Sequence, residues 1–492
     1  MSRRYRSNRR QPGTEGGLVL ERLFRFEENG TTLARDTLAG LTTFMVMAYI
    51  IFVNPAILGF SGIPDLQEKG LPFTAALTST CLVAGAMTLL MGLATNRAYA
   101  IAPGMGLNAV VAFQLVAGEG LTMKNAMGII VLEGILITVL VLTGLRKAIF
   151  NAIPLELKQA IVMGIGFFIL FIGLVDGGLV VAGSGTPVAL GDLTSVPVAM
   201  AALGLLATIV MMARKWKGAI LLGIIFTTVL STILNYAYHK EPFGEQTAVI
   251  PESGIQWPDF SLLGQFDFGA VTKLGAIAAA LWVFSIMLSD FFDTMGTLIG
   301  VGGQAGYLDE RGDLPGTNRL LLVDSLAAVA GGAASASSAT TYIESGAGVG
   351  AGGRTGWVSV VTALCFFAAM PFSPIAGIVP AAATAPALIV VGYLMMRTLT
   401  RKETVASGES DGKVCSAIDF TDLAFGLPAV LTITVMPLTY SITNGIGAGF
   451  LSYVAVRVAR GQWRQVHWLL SLVSLAFLVY FLFPLMQKKF GW

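Results

Sequence analysis

Residues 98–113 read AYAIAPGMGLNAVVAF, and residues 337–353 read SSATTYIESGAGVGAGG. Both are apolar, yet both are too short and too glycine-rich to cross a bilayer as one unbroken helix, which needs about 20 apolar residues. In the first, Pro103 with Gly104 and Gly106 breaks the segment just before Asn108. In the second, Thr340-Thr341-Tyr342-Ile343 favours an extended backbone, and a helix is expected to start near Glu344. Each reads as an extended stretch followed by a half-helix. Half-helix starts carry unsatisfied N–H groups and suit polar ligand atoms.

The surrounding chain is a membrane sequence. Of its 492 residues, 55% are hydrophobic and 12% are charged, against about 25% charged in soluble domains. Residues 218–238 and 355–396 contain no charge, and Lys158 and Asp176 bracket another such run. A soluble protein of this size would need charged helix faces. Spanning segments are expected near 38–58, 74–95, 125–145, 155–175, 194–213, 217–237, 272–298, 318–333, 356–374, 380–397, 421–439 and 443–459. The two glycine-rich segments, near 100–117 and 338–352, bring the total to fourteen. A last apolar stretch, about 466–486, spans or packs on the bundle.

Basic residues mark alternate loops: Arg97; Arg146 and Lys147; Arg214, Lys215 and Lys217; Arg311 and Arg319; Arg354; Arg397, Arg401 and Lys402; Arg460 and Arg464. The positive-inside rule then places the N-terminus in the cytoplasm. Residues 1–32 form a basic tail containing Arg3, Arg4, Arg6, Arg9 and Arg10, without a cleavable signal pattern. An external loop at 238–270 separates residues 33–237 from 271–460, seven segments each, and 461–492 form the C-terminal hydrophobic helix and tail. The longest cytoplasmic linker is 399–418. An odd number of segments per half inverts the second half, and the third segment of each half is the interrupted one. Matching interrupted segments point to a binding site at the midplane.

The net charge of +2 gives no reason to expect nucleic acid. Cys81, Cys365 and Cys415 form neither a disulfide framework nor a metal spacing, and His239 and His467 are too few for a histidine metal centre. No cofactor and no metal are expected. Charges inside membrane segments are costly and mark function. Asp290 and Asp293 share one helix face with Thr294 and Thr297 in a long apolar segment. With Glu344 and Asn108 they are expected to converge on one pocket. Glu133 and Asp324 read as interhelical polar glue, and Asp176 as a residue at the membrane edge. The stretch GVGAGGRT at 348–355 approaches a P-loop but lacks its lysine and its strand. Gly296 and Gly300 read as small-residue helix packing.

At these motifs the chain resembles the nucleobase–cation symporters of the nucleobase–ascorbate transporter type, in particular the AzgA-like purine permeases. The resemblance covers nearly the whole chain and rests on APGMGLNA at 102–109, SDFFDTMGTLIGVGG at 289–303, NRLLLVDSLAAVAGG at 318–332 and TTYIESGAG at 340–348. It implies an all-α fold of seven plus seven inverted segments, with short strands starting segments 3 and 10. It also implies a core domain of about 33–147 and 271–376, and a gate domain of about 153–237 and 379–460. Substrate contacts are implied at Asp290, Glu344, Asn108 and Tyr342. Asp293, Thr294, Ser345 and Gly106 are expected to serve proton coupling or to support the site. A homodimer is expected as well.

The function expected is uptake of hypoxanthine, guanine or adenine across the cell membrane, coupled to protons through an elevator-like movement of core against gate. Carboxylates accept the N–H bonds of a purine, and acids crowded in a dry pocket repel one another, so one can hold a proton. A carrier of another solute on the same fold, such as uracil, xanthine or an anion, is the alternative. No nucleophile with a base suggests an enzyme, and the clustered acids do not line a channel.

Overall fold

A helix in lipid must satisfy its own backbone, and an interrupted one must find partners for each freed group. That requirement shapes the centre of this molecule. The structure is a computed structural model describing residues 15–61, 63–144, 152–239, 242–243, 247–251, 253–308, 314–397 and 418–490. Arg3, Arg4, Arg6, Arg9, Arg10, Arg146, Lys147, Arg311, Arg401, Lys402, Cys415 and nearly all of the 399–418 linker lie outside the described residues.

A short helix α1 (Glu15–Phe24) precedes the first segment, which is divided into α2 (Leu33–Met47) and α3 (Ile50–Leu58). The expected span had no such break. Pro55 inside α3 cannot donate to Ile51, and the turn before it tightens, with Ile51 N–H donating to Ala48 O and Phe52 N–H to Tyr49 O. There follow α4 (Phe73–Thr95), β1 (Ile101–Pro103), α5 (Met105–Ala109), continued as a π-helix over Val110–Gly118, and α6 (Met123–Leu142). Next come α7 (Leu155–Asp176), the small hairpin β2 (Val180–Val181) and β3 (Ala189–Leu190), α8 (Val196–Ala213) and α9 (Ala219–Ala237). Asp176 is the last residue of α7.

The second half begins with α10 (Gly269–Leu274) and α11 (Ala276–Ala305), then α12 (Thr317–Ala333), β4 (Ala339–Thr341) and α13 (Ser345–Gly350). It continues with α14 (Trp357–Ala369), α15 (Ser373–Ala376), α16 (Ala381–Arg397), α17 (Leu423–Leu438) and α18 (Ile442–Ala459), and α19 (Trp468–Phe490) closes the chain. Among the described residues, nine helices are long and apolar enough to cross a membrane, several shorter ones joining them. The chain is a multi-pass membrane protein of seven plus seven inverted segments.

The strands opening segments 3 and 10 pair with each other. β1 and β4 run antiparallel, Ile101 opposite Thr341, Ala102 opposite Thr340 and Pro103 opposite Ala339. The ladder extends through Gly104 N–H to Ser338 O and Tyr342 N–H to Ala100 O. Its two free edges are closed by side chains. Thr88 of α4 bonds both Ile101 N–H and Ile101 O, at 2.8 and 2.9 Å. Asp324 of α12 accepts from Thr341 N–H at 2.9 Å and from its hydroxyl at 2.8 Å. Helices α4 and α12 are the second segments of their halves, so the inverted repeat extends to the edge partners. Asp324 also accepts from Thr294, and Ser338 donates to Glu133; both acids tie elements together, as expected of polar glue.

The helices pack in two groups. One contains α2 to α6 with α11 to α14; in the other α7 to α9 pack with α16 to α18. Gly166 of α7 and Gly392 of α16 bring two backbones into contact, where a Cβ on either would sit 2.7 or 2.4 Å from the other's carbonyl oxygen. Gly296 behaves otherwise than expected: among the described residues a Cβ there would meet nothing within 4 Å, while one at Gly300 would meet Ile343. Between the groups, Tyr440 receives Phe113 and Phe168 edge-on at 5.6 Å and Phe171 at 5.8 Å. Ser285 of α11 and Thr443 of α18 are hydrogen-bonded at 2.6 Å.

Candidate functional site

Where β4 turns into α13, a small cavity opens against α11. Its described lining residues are Tyr49, Met105, Gly106, Asp293, Thr341, Tyr342, Ile343, Glu344, Val391 and Met395. Two carboxylates therefore face one space, and none of these residues is basic. The cavity is small, about 30 Å³. Glu344 immediately precedes α13, where a helix start was expected. Its Oε1 accepts a hydrogen bond from the Tyr49 hydroxyl at 2.6 Å. Tyr49 is fully buried and caps α3 at the break in the first segment. Nothing in its apolar surroundings, FMVMAYIIFV, marked it beforehand.

The expected site residues divide in two. Glu344, Tyr342, Asp293 and Gly106 line the cavity. Asp290, Asn108, Thr294 and Ser345 are fully buried and are not among its lining residues. The face of α11 that meets the strand–helix junction carries Asp293. Three residues leave the two acids about 60° apart around the helix and about 4.5 Å apart along it, neighbours of which only Asp293 is among the lining residues. Thr294 is bonded to Asp324 and Thr340, both at 2.7 Å. Ser345 accepts from Ala100 N–H at 2.9 Å. Both serve the frame of the strands. The side-chain amide of Asn108 has no hydrogen-bond partner among the described residues.

The half-helix was expected to offer free N–H groups, and here the structure differs. The N–H groups of Ser345, Gly346 and Ala347 donate to the carbonyls of Tyr342, Ile343 and Glu344 in tight successive turns. The Tyr342 hydroxyl is likewise engaged, donating to the Pro103 carbonyl. At the start of α13, polar recognition thus falls to side chains. Met105, Ile343, Val391 and Met395 supply apolar walls.

Behind the half-helix lies the stretch that mimics a P-loop. Arg354 Nη1 donates to Val349 O at 2.8 Å and Gly353 O at 2.7 Å, closing the C-terminal end of α13. Asp36, wholly buried, accepts from Thr31, from Arg354 N–H and from both the N–H and hydroxyl of Thr355. The loop is a structural clasp, and Asp36 is an acid that sequence reading had not singled out.

A family profile described as Permease family matches residues 35–406. This chain belongs to the Permease family. The permease is 36% identical over 470 residues to the adenine permease AdeP of Escherichia coli (strain K12), covering 96% of this chain and 97% of that one. It is 37% identical over 466 residues to the guanine/hypoxanthine permease PbuG of Bacillus subtilis (strain 168), covering 94% and 100%. Among solved structures it resembles the transmembrane domain of a cyanobacterium bicarbonate transporter, BicA, with a TM-score of 0.55 at 14% identity, covering 84% of the permease and 96% of that chain. The last likeness concerns the fold. The purine-permease resemblance drawn from the motifs agrees with these relatives.

Proposed function

We propose that this permease takes up purine bases, with hypoxanthine, guanine and adenine as the candidates, together with protons and without a cofactor. The observation that carries this reading is the meeting of Asp293 and Glu344 in one apolar-walled cavity at the junction of two interrupted segments. A neutral planar base presents N–H donors that carboxylates accept, and such charge-assisted bonds are roughly twice as strong as neutral ones. The names of the relatives, adenine permease and guanine/hypoxanthine permease, support the substrate class. An anion carrier would require positive groups at the site, and the described lining residues include none.

The cavity lies between the two helix groups, with Val391 and Met395 on α16 facing Asp293 and Glu344. So small a cavity at the seam of the two groups widens when the groups part. Movement of a core, about 33–147 and 271–376, against a gate, about 153–237 and 379–460, accounts for that opening. Two acids facing one dry space repel each other; a proton taken up from outside relieves the repulsion and favours the base. Coupling then requires proton and base to bind more tightly together than apart. The basic loops favour a cytoplasmic N-terminus in a cell, plasma or inner, membrane, and a lipid-embedded homodimer is the assembly we favour.

Uptake of radiolabelled hypoxanthine tests the reading. Glu344→Gln should abolish it at unchanged membrane expression, and a fully active variant would remove Glu344 from the mechanism. A protonophore should collapse accumulation. Competition by adenine, guanine and hypoxanthine but not by uracil is the expected specificity, and competition by uracil alone would overturn it.

A further inference from the structure

Tyr49 is the one cavity residue that bonds Glu344 directly through its side chain among the hydrogen bonds described, at 2.6 Å and with the tyrosine fully buried. We propose that Tyr49 is a substrate-positioning residue, whose hydroxyl holds one oxygen of Glu344 so that the other faces the base. The inference rests on the purine reading and deepens it.

Three observations converge. First, Tyr49 stands at the break between α2 and α3, so its ring enters the cavity from the first segment while Glu344 comes from the tenth. Second, no described lining residue is basic, so a phenol, not a cation, steadies the Glu344 carboxylate. A carboxylate has two oxygens; tying Oε1 leaves Oε2 oriented. Third, a phenol has one proton to give. With that proton committed to Glu344, the Tyr49 oxygen can only accept. The Tyr49 oxygen and the unprotonated carboxylate oxygens of Asp293 and Glu344 then present acceptors, and the site favours ligands rich in N–H donors.

Binding of radiolabelled hypoxanthine to purified permease, normalised to folded protein, tests the assignment. Tyr49→Phe keeps the ring and removes the hydroxyl. The expected result is a dissociation constant raised about tenfold in the folded fraction, because Glu344 loses the bond that orients it. In vesicles the same variant should raise KM about tenfold and change the maximal rate less than twofold; a merely structural role would lower the maximal rate and leave KM. A dissociation constant within twofold of wild type would overturn the proposal, whatever the stability. Failure of wild type to bind any purine would overturn the purine reading with it, whereas a wild type that binds beside an unaltered variant removes Tyr49 alone.

Discussion

Asp293 and Glu344 share one cavity, and Asp290, three residues earlier on the same helix, does not line it. The difference is testable. Asp293→Asn should weaken hypoxanthine binding by more than about tenfold, the worth of one charge-assisted bond, with the melting temperature preserved. Unaltered binding in that variant would return the direct contact to Asp290. The residue types and the stretch were legible beforehand, because a carboxylate in an apolar helix announces itself by its cost. Which of two acids faces the cavity was not legible, since three residues of spacing leave both on nearly one face. Tyr49 gave no signal either: a tyrosine among membrane aromatics looks the same whether its hydroxyl meets a carboxylate or a headgroup.

At the scale of elements, two three-residue strands hold the centre of the molecule. Their buried backbone groups would otherwise lack partners, at a cost of about 1–3 kcal/mol each. Asp324 serves Thr341 twice and Thr294 once. Asp324→Ala is expected to destabilise the permease by roughly 2–4 kcal/mol, more than one unsatisfied group's worth, read as a lower melting temperature in detergent and lower membrane expression. Unchanged melting would mean that the β4 edge finds another partner. Close packing makes a second prediction. A Cβ at Gly348 would lie 2.7 Å from the Ala39 carbonyl and 2.1 Å from the Thr43 hydroxyl. Since backbone cannot step aside, Gly348→Ala should cost about 1–3 kcal/mol by overpacking, measured the same way. The strands themselves were foreseen, from β-branched Thr340 and Thr341 and from the break at Pro103. Their pairing with each other was not, because no local pattern links residues over 230 positions apart. The bonded N–H groups of α13 escaped prediction for a related reason: the turn that engages them depends on where β4 ends.

Across the whole molecule, transport by relative movement requires that contacts between the two helix groups break. Ser285 and Thr443 touch at 2.6 Å through side chains one bond beyond Cβ, close enough for a disulfide between cysteines, whose S–S distance is about 2.0 Å. The double variant Ser285→Cys with Thr443→Cys should lose hypoxanthine uptake under oxidation and recover it on reduction, with wild type, carrying its own cysteines, as the control. A fully cross-linked carrier that still transports would show that the groups do not separate at this point. The order and number of segments, their apolar length and their inverted halves were all readable from the chain, because the bilayer imposes length, charge placement and backbone satisfaction on any sequence that crosses it. The sequence by itself also limited the chemistry to a few buried acids near two interrupted segments. Only the tertiary structure decided which acid faces the cavity, what steadies Glu344 and how the strand edges are closed. Those outcomes depend on rotations and contacts between residues far apart in the chain, and no local periodicity encodes them.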